Sequence, residues 1–319
     1  MRPEAEIDGS SAPVGFADYL EAKFALDERS LNPDVRQACV DRIGSERRVL
    51  RWLDVGTGTG AMVRRLISCG LRPALAITAL DRDAELLAAA SIAINAQLET
   101  LGYGTLVHSA GIDAQRSGQS ISIAFQCRSL FDFELVKPAC YDLITAHAFM
   151  DMVPMAAALS RFSRWLAPGG VFYATLNYDG DTAMFPVYRD EAFETGLLAE
   201  YDASMERRRV LGEPTGGAHS GRRLHALLSG IGFDVLAYGS SDWDITPREG
   251  RYRDRDADVL QTLLAWIHDE GAQQPAIEPA ALAHWYAERR ARIESSELGM
   301  IVHQLDVVAT RRAGARALT

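Results

Sequence analysis

One string in this chain places glycines where a nucleoside, a phosphate or an amino-acid tail could lie against the backbone: Asp54-Val55-Gly56-Thr57-Gly58-Thr59-Gly60. Glycines permit a tight strand-to-helix turn and leave no side chain between main-chain N–H groups and a ligand. Taken alone the string is ambiguous, because Gly56, Gly58 and Ala61 also fit the dinucleotide fingerprint G-x-G-x-x-G/A. Asp54, two residues before Gly56, would repel a pyrophosphate but suits an ammonium or an N–H donor. Asp81 closes the next apolar run, where a carboxylate can accept from both hydroxyls of a ribose. The alternative for both acids is plain helix capping.

Positioning these groups requires strands that end together. Apolar runs at Val49–Val55, Ala74–Leu80, Ile121–Cys127, Tyr141–Ala146 and Gly170–Leu176 read as buried strands. Helical patterns separate them at about 60–68, 84–98 and Met155–Leu166, the last stopped by Pro168-Gly169-Gly170. Such alternation predicts a doubly wound, mostly parallel α/β sheet. Residues 1–13 read as a disordered lead-in, and Phe16 to about Ile43 as helices interrupted at Pro33. The Gly/Ser-rich stretch from Gly102 to Gln119 reads as an exposed loop. Beyond residue 220 the pattern gives a helix at Gly221–Ser229, a strand at Phe233–Tyr238, long helices at Asp256–Glu270 and Pro279–Glu297, and a last strand at Met300–Ala309.

Over about residues 46–310 the chain resembles the class I S-adenosylmethionine-dependent methyltransferases. Asp54 to Gly60 looks like their glycine motif, Asp81 like the ribose-binding acid, and Leu166-Ala-Pro-Gly-Gly-Val171 like their L-x-P-G-G turn. The resemblance implies a seven-stranded sheet with its last strand antiparallel. The pattern along the chain reads as a helical N-terminal cap over 1–45 and one Rossmann-like domain over 46–310, with helical lid insertions at about 181–219 and 245–300. The resemblance further implies S-adenosylmethionine as cofactor, with contacts from Asp54, Gly56, Thr57, Gly58, Gly60, Asp81, Arg82, Ser129, Leu130, Phe131 and His147. Ser129 stands where many relatives carry an acid for the adenine amine, and Asp132 is the nearby substitute.

Methyl transfer from a sulfonium is an in-line displacement, so the protein must hold the reactants in line and exclude water. The segment facing the methyl is then Ala146-His147-Ala-Phe149-Met-Asp151-Met-Val153. His147 is the candidate catalytic base, a pocket residue, or a structural strand-end histidine. Phe149, Asp151, Asn177 and Tyr178 are the candidate substrate contacts, with capping or turn roles as alternatives. Tyr19 and Lys23 could close over the cofactor, and His219, Arg222 and Arg223 could reach an anionic substrate. Trp243, Trp266, Trp285 and Tyr286 are aromatic walls of a lid or ordinary core.

The formal net charge of -10 argues against a broad nucleic-acid footprint, and Arg207–Arg209 and Arg289–Arg290 read as solvated helix faces. The chain lacks both the Asn/Asp-Pro-Pro-Tyr/Phe string of amide and nucleobase methylases and the paired glutamates that hold a guanidinium. A small-molecule acceptor is therefore expected, with an O, N or S nucleophile. A protein or RNA methyltransferase and a nicotinamide-dependent oxidoreductase are the competing readings. Four scattered cysteines suggest neither disulfides nor zinc, and no metal is expected; Cys127 and Cys140 read as buried. The polar start and the absence of any bilayer-length apolar stretch predict a cytoplasmic protein with no membrane partner. Oligomeric state is not legible.

Overall fold

A computed structural model describes residues 15–44, 48–71, 74–135 and 138–313. The expected disordered lead-in and the expected cap boundary at residue 45 lie outside them. Three helices come first: α1 (Phe16–Ala22), α2 (Phe24–Ser30) and α3 (Pro33–Gly44). Asn32 caps α3, its side-chain oxygen accepting from the N–H groups of Asp34 and Val35 at 3.1 Å each. The core then alternates β1 (Leu50–Val55), α4 (Ala61–Ser68), β2 (Leu75–Asp81) and α5 (Ala84–Thr100). Next come β3 (Gly104–His108), β4 (Gly111–Arg116), β5 (Gln119–Cys127), β6 (Tyr141–His147), α6 (Met155–Trp165) and β7 (Leu166–Phe185). The remainder comprises α7 (Glu191–Arg207), β8 (Arg209–Val210), β9 (Glu213–Pro214), α8 (Ser220–Gly230), β10 (Phe233–Ser240), β11 (Trp243–Ile245), α9 (Asp256–Ala272), α10 (Pro279–Glu294) and β12 (Gly299–Arg311).

The main sheet runs β10-β12-β7-β6-β1-β2-β5-β4-β3, with β11 added on β12. Strands β7, β6, β1, β2 and β5 are parallel, and β12 is antiparallel to both β7 and β10. The sheet therefore has ten strands where seven were expected. Every expected strand is present, and the surplus is β3, β4 and β11. The stretch expected to be a loop is the β3–β4 hairpin, joined to β5 through Ser117 and Gly118 at φ 44° and 81°, the paired positive values of a tight hairpin turn. Its alternation was present in the sequence, since Ile112 and Ala114 are buried while Asp113 and Gln115 are exposed, but small polar residues masked it. β7 also runs past its expected end, pairing Asn177 with Leu305 and Tyr178 with Gln304.

Two apolar layers cover the sheet. One joins Cys39, Met62, Leu66 and Ile94 to the strands; the other joins Leu159, Phe162, Leu224 and Leu228. A third cluster packs α1 and α2, through Tyr19 and Leu26, with Leu197 of α7, Val259 and Leu264 of α9 and Trp285 of α10. Arg289 of α10, wholly buried, donates to both carboxylate oxygens of Glu194 at 2.7 and 2.6 Å, and the Trp285 indole donates to the same acid at 2.7 Å. Trp285 is thus a core residue rather than an open wall. Cys127 is exposed and Cys140 half-buried, contrary to expectation; only Cys39 is buried. Among the described residues no helix is long and apolar enough to cross a membrane.

Candidate functional site

At the carboxyl end of β1 the chain turns through Gly56, Gly58 and Gly60, at φ 64°, 55° and 80°. A Cβ on Gly60 would come within 2.7 Å of Ile94 on α5, and one on Gly56 within 2.3 Å of the Phe149 ring. Only glycine fits such contacts with a left-handed backbone. The turn is tied to β2, with Thr57 N–H donating to Leu80 O at 3.1 Å and Gly58 N–H to Asp81 Oδ2 at 2.8 Å. Asp81 Oδ1 accepts from Asp83 N–H at 3.1 Å. Each carboxylate oxygen keeps a further lone pair for a ligand hydroxyl.

Asp54 is buried beneath this turn. Its Oδ1 accepts from the Thr145 hydroxyl of β6, which in turn accepts from the Trp52 indole at 2.7 Å. Its Oδ2 has no partner, nor does the buried Thr59 hydroxyl. Burial pushes the Asp54 carboxyl up to about 7. Buried polar atoms are normally paired, so two orphans beneath a glycine turn mark donor and acceptor capacity the chain itself does not use. Those atoms fit a ligand that brings an ammonium and hydroxyl groups.

His147, the last residue of β6, is fully engaged. Its Nδ1 is 2.7 Å from the Thr175 hydroxyl, and its Nε2 is 3.0 Å from both Asp27 Oδ2 and Arg65 Nη1. Burial and the Arg65 charge lower its pKa to about 4, so it is neutral. Asp27 of α2 also accepts from Lys23 Nζ at 2.6 Å and the Trp243 indole at 3.1 Å. Burial alone would raise the Asp27 pKa, but Lys23, His147 and Arg65 outweigh it and hold the carboxyl far below its usual range. Lys23 and Trp243 therefore serve this buried network, which fastens the leading helices to the sheet edge.

The other expected positions divide. Ser129, Leu130 and Phe131 follow β5: the Ser129 hydroxyl accepts from Phe131 N–H at 3.2 Å, Leu130 is buried, and Phe131 lies under the Arg161 guanidinium at 5.5 Å. Arg82 and Asp132 are exposed beside them. Phe149 covers Gly56, and Asp151 follows it in a short 3-10 turn, Met150–Met152. Burial raises the Asp151 carboxyl. Asn177 and Tyr178 are strand residues, not turn residues: Asn177 donates to Leu305 O at 2.8 Å and Tyr178 to Asp202 at 2.7 Å. Arg222 is held by Asp179 at 2.8 Å, Arg223 by Glu206 at 2.8 Å, and His219 faces Asp179 O at 3.3 Å, so these three serve the fold.

Sequence reasoning missed Asp27, Arg65, Thr145 and Thr175. The Lys23–Asp27 spacing of four on one helix face was the visible hint of an ion pair; nothing local pointed to the other three.

The Methyltransferase domain family matches residues 28–238. No curated protein matches the sequence. Among solved structures, a Bacillus halodurans protein described as a methyltransferase aligns with TM-score 0.50 at 14% identity, covering 88% of this chain and 100% of that one. A phosphoethanolamine N-methyltransferase of Haemonchus contortus aligns with TM-score 0.43 at 15% identity, covering 94% of this chain and 60% of that one. A S-adenosylmethionine-dependent methyltransferase of Methanosarcina mazei gives TM-score 0.43 at 15% identity, covering 88% and 98%. Since the family match spans well over half of the chain and includes the glycine turn, Asp81 and β6, this protein belongs to the methyltransferase-domain family.

Proposed function

We propose that this protein is an enzyme that transfers a methyl group from S-adenosylmethionine to an O, N or S nucleophile of a small molecule. The observation that carries the reading is the buried Asp54 carboxylate with one oxygen unpartnered under a three-glycine turn. Asp54 Oδ2 would hold the ammonium of the cofactor's amino-acid tail and Asp81 its ribose hydroxyls. Ser129 to Phe131 would border the adenine. The cofactor supplies a methyl group on a positively charged sulfur, which departs as a neutral thioether.

The chain's part is then to orient the acceptor and exclude water. His147 has no free ring nitrogen and stays neutral, so it positions β6 and the leading helices rather than taking a proton. Asp151 is the acceptor-side acid, because its carboxylate takes no hydrogen bond from any other described residue and burial has raised its proton affinity. Helices α1, α7 and α9, which pack together in one apolar cluster, would form the cover, and the acidic net charge disfavours a polyanionic acceptor. We place the enzyme in the cytoplasm.

The test is calorimetric titration with S-adenosylhomocysteine and, separately, NAD. Saturable binding of the sulfur nucleoside and none of NAD is expected. Gly58→Arg, which puts a long side chain into the turn 3.1 Å from Leu20, should abolish that binding with the circular dichroism spectrum retained. Unchanged affinity in that variant would sink the site assignment.

A further inference from the structure

Arg208 follows α7 and is half-buried, yet among the described residues it has neither an ion pair nor a side-chain hydrogen bond. The other described arginines in that condition, Arg82, Arg128, Arg164 and Arg253, are all exposed. A guanidinium partly withdrawn from water, with no acceptor from the described residues, keeps its fork of donors free for an anion from outside the chain.

The surroundings agree. The Arg208 carbonyl accepts from Thr215 N–H at 3.3 Å, and the buried Thr215 hydroxyl has no partner. Gly216 and Gly217, next in the chain, donate to Val153 O and Asp151 O at 3.0 and 3.1 Å, which brings the hairpin against the turn after β6. The charge of Arg208 lowers the proton affinity of both Asp151 and Tyr201 against the larger effect of burial, and Tyr19 feels Asp151 and Tyr201 in turn. Tyr19 packs edge-on to Trp266 with ring centroids 4.7 Å apart, and the buried Trp266 indole N–H also has no partner. Polar atoms without partners thus lie on the chain that bonds the turn after β6 and at the Tyr19–Trp266 contact, and Phe149 of that turn lies against Gly56.

We infer that the methyl acceptor is a small molecule with a flat apolar body and a carboxylate, and that Arg208 is the residue that selects the carboxylate. This rests on the methyltransferase reading above. A carboxylate matches one guanidinium in fork geometry. A dianionic phosphate fits less well, because the Asp151 carboxylate lies within electrostatic reach of that cation. With the carboxylate at Arg208, the acceptor's nucleophilic end is directed toward Asp151 and the glycine turn.

Protein saturated with S-adenosylhomocysteine is titrated with 3-phenylpropionate, 3-phenylpropanamide and phenyl phosphate, read by calorimetry and tryptophan fluorescence. The carboxylate should bind at least about tenfold tighter than the neutral amide, the size of a charged hydrogen bond, and tighter than the phosphate. Arg208→Gln should erase that preference, Arg208→Lys should keep part of it, and Arg164→Gln should leave it intact. Equal binding of acid and amide overturns the inference, as does a preference surviving in Arg208→Gln, tighter binding of the phosphate, or saturable binding of none of the three. If the nucleoside itself does not bind, the methyltransferase reading fails, and the same comparison without nucleoside still decides the role of Arg208.

Discussion

Asp27 in the leading helices and Asp54 at the end of β1 are both buried acids within reach of β6, and the regions around them differ in one respect. Around Asp27 both oxygens meet donors, from Lys23, His147 and Trp243, with Arg65 3.5 Å away. Around Asp54 one oxygen accepts from Thr145 and the other has no hydrogen-bond partner. Their proton affinities move oppositely, down for Asp27 and up for Asp54. A buried carboxylate surrounded by cations is a clamp between elements. A buried carboxylate left short of donors under a glycine turn keeps acceptor capacity that the chain itself does not use.

Breaking the clamp should have the largest effect. Asp27→Ala leaves Lys23 and Arg65 buried without their acid, and should cost about 3–5 kcal/mol of stability in urea unfolding. A loss below 1 kcal/mol would erase the distinction between the two regions. Asp54→Asn should do the converse. It removes the charge for the ammonium and should weaken S-adenosylhomocysteine binding by about 10–100-fold in calorimetry, while urea stability stays equal or rises.

The pH dependence sharpens the same contrast. With its carboxyl raised to about 7, native Asp54 keeps a proton that the unfolded chain releases near 3.8, so its contribution to stability falls as pH rises between those values. A ligand ammonium selects the ionised form, so nucleoside affinity should strengthen as pH rises toward about 7 and then level off. Affinity measured from pH 5.5 to 8.5 should show this rise in the wild type and lose most of it in Asp54→Asn. Asp27 acts in the other direction: its lowered pKa gives stability that is present above the usual carboxylate range and lost as pH falls through it. His147 acts alike between 6.5 and about 4, since the unfolded chain takes up a proton there before the native state does.

The smallest effect is expected at His147 itself. Gln can replace one of its hydrogen bonds, so His147→Gln should cost about 1 kcal/mol of stability and change nucleoside affinity less than about threefold, under 0.7 kcal/mol. A much larger loss of affinity would return His147 to the cofactor pocket.

Much of this was legible in order along the chain. The glycine turn, Asp81 and the parallel strands are signals confined to a few adjacent residues, because a strand-to-helix turn under a ligand constrains its own local sequence. The same holds for the antiparallel last strand, which the resemblance implied and β12 displays. The hairpin of β3 and β4 escaped, since small polar residues on an edge leave a weak alternation. Asn177 and Tyr178 were expected beyond the strand end, as substrate contacts or turn residues, but β7 runs on because β12 offers a partner 128 residues away.

What the sequence determined is therefore the class of fold and the glycine turn, since both depend on backbone geometry and on apolar period. Tertiary structure alone decided which polar groups are spent and which are left over. Asp27 and His147 are 120 residues apart, and Asp27 and Trp243 are 216 apart. The unpaired state of Asp54 Oδ2 and Arg208 is a property of everything that packs around them, and no local pattern encodes an absence of neighbours.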